Sequence, residues 1–176
     1  MKPRIRFLDG MEVEDITDIT EALVKVNRSA AVVKGGRRFS FSALSVSGNK
    51  AGIVGYGFGK ARQVPGAIEK AARDGRKHLM RVPLTKSGTI PHEIEGFYCS
   101  AMVRMLPASP GTGIIACPSV RAVCEMAGIK DILTKSYGST NPVNLIKATL
   151  HALSQLRTPE QVAGLRGVQL GMGANQ

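Results

Sequence analysis

Two tight-turn signals, Gly35-Gly36 and Ser47–Lys50, most constrain how this chain can fold. They separate three strand-like stretches, Lys25–Lys34, Arg37–Ser47 and Ala51–Lys60. In the middle stretch apolar residues alternate with polar ones, which is typical of a strand with one buried face. Because strands joined by turns this short run antiparallel, the sequence predicts a three-stranded antiparallel meander.

Helical patterns flank this meander. Thr17–Val26 has apolar residues at helical spacing, which favours a short helix or a helix running into a strand, and Pro65 suits the first turn of another helix. Residues 17–82 are therefore predicted to form an α-β-β-β-α unit. We expect residues 1–16 to be a mobile arm.

The second half predicts another α+β unit, over residues 90–158, after a hinge at Pro83–Pro91. Its expected elements are a strand region at Glu93–Leu106, a short apolar segment at Ile114–Ala116, a helix at Ser119–Ala127 ended by Gly128, a strand at Ile129–Tyr137, and a helix capped by Asn141 with Pro142 in its first turn. Residues 159–176 are expected to be an irregular tail.

Positive charge is concentrated in one part of the chain. Of the 24 basic residues, fourteen lie in residues 22–86, which contain two acidic residues, whereas residues 87–176 hold seven basic and five acidic ones. Such a segment attracts polyanions, and nucleic acid is the commonest of these in the cytoplasm. The alternative is a solvated basic surface that only aids solubility, although such a surface usually has positive and negative residues interspersed.

The glycines before Lys60 raise the possibility of a nucleotide loop. A P-loop needs glycine where this chain has Val54 and a hydroxyl where it has Ala61, so that motif fails at both ends.

Cys99, Cys117 and Cys124 and the three histidines have no metal-ligand spacing and are expected to be buried thiols and ordinary histidines. We therefore expect no catalytic residue, cofactor, metal or small-molecule substrate.

Membrane and secretory segments are not expected either. No apolar run approaches the length of a membrane span, and the first fifteen residues have charges without the apolar core of a secretory signal. The cytoplasm is the expected compartment.

Binding of a phosphate backbone accounts for more of these features, since glycines allow close backbone approach and cations bind phosphates. The predicted nucleic-acid-binding residues are Lys25, Arg28, Lys34, Gly35, Gly36, Arg37, Arg38, Lys50, Gly55, Gly57, Gly59, Lys60 and Arg62. Phe39, Phe41, Tyr56 and Phe58 are candidates to stack on bases, but packing in the core of the sheet is the favoured interpretation.

Four blocks of sequence resemble the signatures of a known family. They are VNRSAAVVKGGRRFSFSAL, VGYGFGKARQVPGAIEKA, ASPGTGIIA and YGSTNPVNLIKAT. In this order they resemble the family of the bacterial-type small-subunit ribosomal protein "S-five" between Val24 and Leu156.

The resemblance implies a fold and a function. The fold is an N-terminal domain like a double-stranded RNA-binding domain, followed by a C-terminal split β-α-β domain. The function is that of a structural component of the small ribosomal subunit, in the cytoplasm or in an organelle, which bridges head and body. Its implied partners are small-subunit rRNA and neighbouring ribosomal proteins, notably numbers four and eight. It also implies roles in translational fidelity and subunit assembly.

Carried over by position, the family's extended rRNA-binding loop is Arg28–Arg38. The contact with protein four maps to Gly111, Thr112, Gly113 and Arg121. The chain departs from the family pattern at Ala30-Ala31, where Ser-Lys is often found, and at Cys117-Pro118, where small glycines are common.

Two other functions stay open on the residues alone. One is a small phosphotransferase, suggested by the glycines and by the occurrence of the C-terminal fold type in some kinases, which is only a fold analogy. The other is a free-standing regulator that binds double-stranded RNA.

Overall fold

The computed structural model describes residues 7, 8 and 18–168. In this part of the chain, the elements are β1 (Thr20–Val33), β2 (Gly36–Gly48), β3 (Ile53–Ala61), α1 (Val64–Gly75), β4 (Leu79–Arg81), β5 (Ile94–Tyr98), β6 (Ala101–Pro107), β7 (Ile114–Ile115), α2 (Pro118–Ala127), β8 (Ile132–Gly138), α3 (Pro142–Ser154) and α4 (Pro159–Arg166). They form two four-stranded sheets, with strand orders β1-β2-β3-β4 and β5-β6-β8-β7. The predicted α+β class is confirmed.

The N-terminal sheet contains the predicted meander, with β4 as an unpredicted fourth strand on its edge. The helix predicted within Thr17–Val26 is wrong from Thr20 onward, because β1 pairs with β2 from Thr20 opposite Gly48 to Val33 opposite Gly36. A bulge near Leu23 and Lys25 interrupts the strand alternation. The bulge gives the apolar residues a spacing that imitates a helix, and cross-strand pairing over the whole length of β1 decides the outcome.

Helix α1 packs against a strip of small residues on the N-terminal sheet. Ala43, Ser45 and Ser47 of β2 face Gly59, Gly57 and Gly55 of β3. A Cβ atom on Gly57 would overlap the carbonyl oxygen of Ala71, and one on Gly59 would overlap that of Ala67. The missing side chains therefore let the helix backbone lie directly on the strand. Proline in the first turn of α1 agrees with the sequence prediction.

The C-terminal sheet is covered on one face by α2 and α3. The strand region predicted at residues 93–106 is a hairpin of β5 and β6, which turns at Cys99, a residue with φ of 52°. The short segment β7 pairs parallel to β8 on the sheet edge. Helix α2 ends at Gly128 with φ of 87°, and Asn141 accepts a hydrogen bond from the amide of Val143 at the start of α3, as predicted.

The other face of the N-terminal sheet and the two C-terminal helices share one core. Fully buried Val46 and Val54 from the first sheet belong to the same apolar cluster as Val123 and Ile146 from α2 and α3. This cluster explains why residues 83–91 are not the expected hinge. Ile90 is buried there, and the carbonyl of Gly88 accepts hydrogen bonds from the amides of Lys130 and Asp131.

Lys147 of α3 also ties the two sheets together. Its Nζ lies 5.4 Å from the ring centre of Tyr56 on β3 and 5.0 Å from that of Tyr98 on β5. It also donates a hydrogen bond of 3.4 Å to the Tyr98 hydroxyl. Burial lowers the pKa of Lys147, but the two tyrosines outweigh burial and leave the pKa raised, so the cation is retained between the sheets.

Both terminal predictions need correction. In the arm predicted to be mobile, Phe7 packs against Tyr56 and His78, and the amide of Leu8 donates to the carbonyl of Leu79 at 2.7 Å. The remaining residues of the arm, 1–6 and 9–16, lie outside the described residues. In the tail predicted to be irregular, Pro159–Arg166 is helix α4, because Thr158 and Gln161 form a capping box and Gly167 ends the helix at φ of 64°.

The cysteines only partly match the expectation of buried thiols. Cys124 is buried, and burial raises its pKa to about 12, but Cys99 is exposed in the β5–β6 turn. Among residues 7, 8 and 18–168, no three His, Cys, Asp or Glu side chains are grouped to hold a metal ion. None of the helices described is long and apolar enough to span a membrane.

The close approach of α1 to β3 leads to a stability prediction. Gly57→Ala should lower the free energy of unfolding by about 1–3 kcal/mol or more, because the new methyl group forces α1 away from the sheet. Gly66→Ala is the matched control, since its added Cβ meets nothing closer than 3.6 Å. Urea unfolding of both variants measures the effect, and an unchanged midpoint for Gly57→Ala would contradict the packing account.

Candidate nucleic-acid interface

The hairpin of β1 and β2 projects beyond the packed part of the N-terminal sheet. Every residue from Asn27 to Phe39 is exposed, although the two strands stay paired up to Val33 opposite Gly36. The loop expected at Arg28–Arg38 is therefore a regular β-hairpin with a two-residue turn at Lys34 and Gly35. At about 3.3 Å per residue, its six residues from Arg28 to Val33 extend for about 20 Å.

Cations lie on both faces of this hairpin. Arg28 is opposite Phe41, which packs against Ala67 and Ala71 of α1. By register, Arg28 and Arg37 therefore lie on the face of the hairpin that continues the α1-covered face of the sheet. Arg38 is opposite Ala31 and belongs to the other face, together with Lys25. Lys34 is in the turn. The hairpin thus presents positive charge in several directions, as needed to contact phosphates on more than one strand or turn of a folded nucleic acid.

Aromatic rings beside the cations are partly exposed. The guanidinium carbon of Arg28 lies 4.7 Å from the ring centre of Phe39, which is 42% exposed. Phe58 is 39% exposed and has the ammonium of Lys60 5.6 Å from its ring centre. The prediction that the four aromatic rings pack in the core of the sheet holds for Phe41 and Tyr56, which pack against buried clusters. It is wrong for Phe39 and Phe58, whose rings are partly exposed.

The end of β3 brings further positive charge to the base of the hairpin. Lys60 is opposite Ser42 of β2, and Arg62 follows two residues later. Lys70 of α1 donates a hydrogen bond of 3.4 Å to the Lys60 carbonyl. Lys70 thereby joins the surface, although the site prediction left it out. The sequence contains a signal for it, because Lys70, Arg73 and Lys77 are at helical spacing, and Lys70 and Arg73 do lie in α1.

Most of these cations have no ion-pair partner in the described part of the chain. Among the described residues, the ion pairs made by residues 22–86 are Arg76 with Glu21 at 3.4 Å and His78 with Asp74 at 3.7 Å. The six cations of the hairpin and the end of β3 have no carboxylate partner among the described residues: Lys25, Arg28, Lys34, Arg37, Arg38 and Lys60. We call these residues, with Arg62, the hairpin cations.

Four predicted site residues do not belong to this surface. Gly57 and Gly59 are buried against the backbone of α1, and Gly55 is buried against the carbonyls of His78 and Gly75, so their close backbone approach is to protein and not to a nucleic acid. The structure contradicts their prediction as RNA contacts. Lys50 lies in the β2–β3 turn, at the opposite end of the sheet from the hairpin tip, and its amide donates to the carbonyl of Met126. Gly35 and Gly36 do lie at the tip, where Gly36 has φ of 144°.

The predicted protein-contact residues are brought together around β7. Gly111 and Gly113 have φ of 89° and 74° in an exposed turn, and Thr112 donates through its hydroxyl to the carbonyl of Ser109. Arg121 of α2 donates to the carbonyl of Ile114 at 2.7 Å, next to this turn. The four residues therefore form one continuous surface at the edge of the C-terminal sheet.

The outer face of the C-terminal sheet is a second exposed surface. By register, Phe97, Met102 and Tyr137 form an apolar row across β5, β6 and β8, and Phe97 and Tyr137 are 48% and 46% exposed. A charged row comes next: Glu95, Arg104 and Lys135. Hydrogen bonding to Glu93, followed by its charge, raises the pKa of Arg104. A last apolar row contains Leu106, Leu133 and Ile115. We call these rows the outer sheet face.

Family models match both halves of the chain. The model described as ribosomal protein S5, N-terminal domain, matches residues 19–83, and that described as ribosomal protein S5, C-terminal domain, matches residues 96–166.

Curated proteins named as members of the same family are similar to this chain over most of its length and most of their own. The small ribosomal subunit protein uS5 of Rhodopirellula baltica is 56% identical over 150 residues, which cover 85% of this chain and 84% of the relative. The protein of the same name from Tolumonas auensis is 50% identical over 153 residues, covering 87% and 92%. That of Shewanella baltica is 48% identical over 160 residues, covering 91% and 95%.

Proposed function

Because the chain belongs to the ribosomal protein S5 family, we propose that it is a structural constituent of the small ribosomal subunit that binds small-subunit rRNA. The observation that carries this proposal is the projecting hairpin, whose cations have no carboxylate partner in the described chain. The family is one of structural, non-enzymatic ribosomal proteins. The failed P-loop motif at Val54 and Ala61 agrees with this and speaks against the phosphotransferase alternative.

Binding is mainly electrostatic in this proposal. Cations on both hairpin faces and at the end of β3 contact phosphates of folded rRNA and set the position of the protein without reading base identity. The exposed rings of Phe39 and Phe58 add stacking on unpaired bases or sugars. The hairpin is paired to its tip, so little conformational entropy is lost when it binds.

The same proposal extends to the arrangement of the subunit. The hairpin and the surface around Gly111–Gly113 and Arg121 lie on two sheets that share one core and are tied by Lys147. A rigid body with two binding surfaces holds its two partners in a fixed relation. This supports a role in holding head relative to body, in subunit assembly and in translational fidelity, on ribosomes of the cytoplasm.

Neighbouring ribosomal proteins are proposed to occupy the C-terminal surfaces. The turn at Gly111–Gly113, with Arg121, is assigned to protein four. The outer sheet face has exposed apolar rows on both sides of a charged row, which suits a protein partner better than RNA. It is therefore assigned to the other expected neighbour, protein eight.

Removal of two hairpin cations tests the rRNA contact. Arg37→Ala with Arg38→Ala should weaken binding to small-subunit rRNA by roughly tenfold or more and lower incorporation into small subunits, because two exposed phosphate-binding groups are lost. Filter binding and sucrose-gradient sedimentation measure the two effects. Lys50→Asn with Lys130→Gln is the matched control, since it removes the same charge at the opposite end of the sheet.

The control also separates the alternatives. Equal loss in both double variants would mean that net charge alone matters, and no loss in either would refute the hairpin assignment. A chain that binds RNA but sediments as free protein would favour the free-standing regulator.

Changes on the outer sheet face test the protein contact. Phe97→Ser with Tyr137→Ser should abolish co-elution with protein eight in gel filtration and leave rRNA binding unchanged, because the apolar contact area is lost far from the hairpin. Leu165→Ser, at an apolar position of α4 that is 72% exposed, is the control. Undiminished co-elution of the double variant would contradict the assignment.

A further inference from the structure

A cavity of about 300 Å³ lies where β1 meets the first turns of α2 and α3. Its lining includes Lys25 of β1, Ser119 of α2, Ser136 of β8, and Thr140 and Pro142 at the start of α3. Lys25 belongs both to the hairpin cations and to the lining of this cavity. The other residues that line the cavity are not part of the RNA-binding surface described above.

The start of α2 leaves hydrogen-bond donors unused at the cavity. Its N-cap residue, Cys117, makes no side-chain hydrogen bond to the first turn. The amides of Ser119 and Val120 have no acceptor among the described residues. By contrast, Asn141 caps α3 by accepting from Val143. An uncapped helix start exposes amide hydrogens and the positive end of the helix dipole, both of which favour an anion.

The side chain of Ser119 adds a further hydrogen-bond donor at the cavity wall. Ser119 is 7% exposed, lines the cavity, and makes no hydrogen bond through its side chain with any described residue. Among the described residues, the sealed hydroxyl groups without a partner are those of Ser45 and Ser47, so the Ser119 hydroxyl is open to the cavity, where a ligand can accept a hydrogen bond from it. The hydroxyl of Ser119 and the amides of the same helical turn therefore lack an acceptor, which a ligand would supply.

The charges around the cavity define the chemistry of that acceptor. Among the described residues, Lys25 is the charged residue in the cavity lining, and no carboxylate lines the cavity. Val24 and Leu145 form apolar walls, and a partly water-excluded wall strengthens the attraction between an ammonium and an anion. An ammonium, free amides and a hydroxyl together match an oxyanion with several acceptor oxygens.

We propose that this cavity binds a phosphate group of the RNA backbone. The inference rests on the proposed function for the identity of the RNA. By register, Lys25 is opposite Leu44 and shares its hairpin face with Asn27, Ser29 and Arg38. A polar strip thus runs from the cavity to the hairpin tip. An RNA strand bound along this strip would place one of its phosphates in the cavity, whereas free phosphate gains no affinity from the strip.

Amide chemical shifts test the cavity directly. In ¹⁵N NMR spectra of the intact chain, titration with inorganic phosphate should shift the amides of Ser119 and Val120 saturably. A short small-subunit rRNA fragment should shift the same amides at much lower concentration. Saturable shifts with inorganic phosphate alone would overturn the RNA source, and no shift at these amides with either probe would overturn the site.

Two variants separate this inference from the proposed function. Ser119→Ala should weaken rRNA binding about tenfold, because one hydrogen bond to a charged group is lost. Lys25→Gln should reduce the slope of log K against log salt by about one. Each variant is first shown to keep the wild-type spectrum outside the cavity.

The hairpin variant Arg37→Ala with Arg38→Ala serves as the reference. If it loses rRNA affinity while Ser119→Ala and Lys25→Gln bind like the wild type, the cavity inference fails and the proposed function stands. If the wild-type chain does not bind rRNA, the proposed function fails, and the phosphate titration still decides whether the cavity takes an oxyanion.

Discussion

The contact between α1 and the glycines of β3 is the constraint on which the N-terminal half depends. Gly55, Gly57 and Gly59 have no side chain, and they face Ser47, Ser45 and Ala43 on β2. Only a strip of residues this small lets the helix backbone lie on the strand. With α1 held on one face and the C-terminal helices packed on the other, the sheet is fixed on both sides. It can then hold an exposed hairpin rigidly in the solvent.

Most of the fold could be predicted from local signals. The two turns gave the meander, Gly128 ended α2, and Asn141 began α3, because each of these signals acts within a few residues. The errors arose where distant contacts decide. Thr20–Val26 has helical spacing, but pairing with β2 makes it a strand. The shared core that replaces the expected hinge joins residues far apart in sequence, which no local pattern reports.

The charged residues of the candidate site could be predicted from the sequence, but their spatial arrangement could be predicted less well. Arg28, Arg37 and Arg38 meet on one hairpin because the turn at Gly35 fixes its register. The glycines of β3 were correctly interpreted as places of close backbone approach, but the approaching group is α1, and a sequence does not say which partner a glycine faces. The cavity at Ser119 depends on β1 meeting two helix starts, and only the assembled fold brings these together.

The salt dependence of rRNA binding tests the central claim most directly. If the hairpin cations form the interface, the binding constant of the intact chain for small-subunit rRNA should fall steeply between dilute and physiological salt. A slope of log K against log salt on the order of −4 to −6 is expected, since each phosphate contact contributes about 0.7–0.9. A binding constant that does not change over this range would contradict the account.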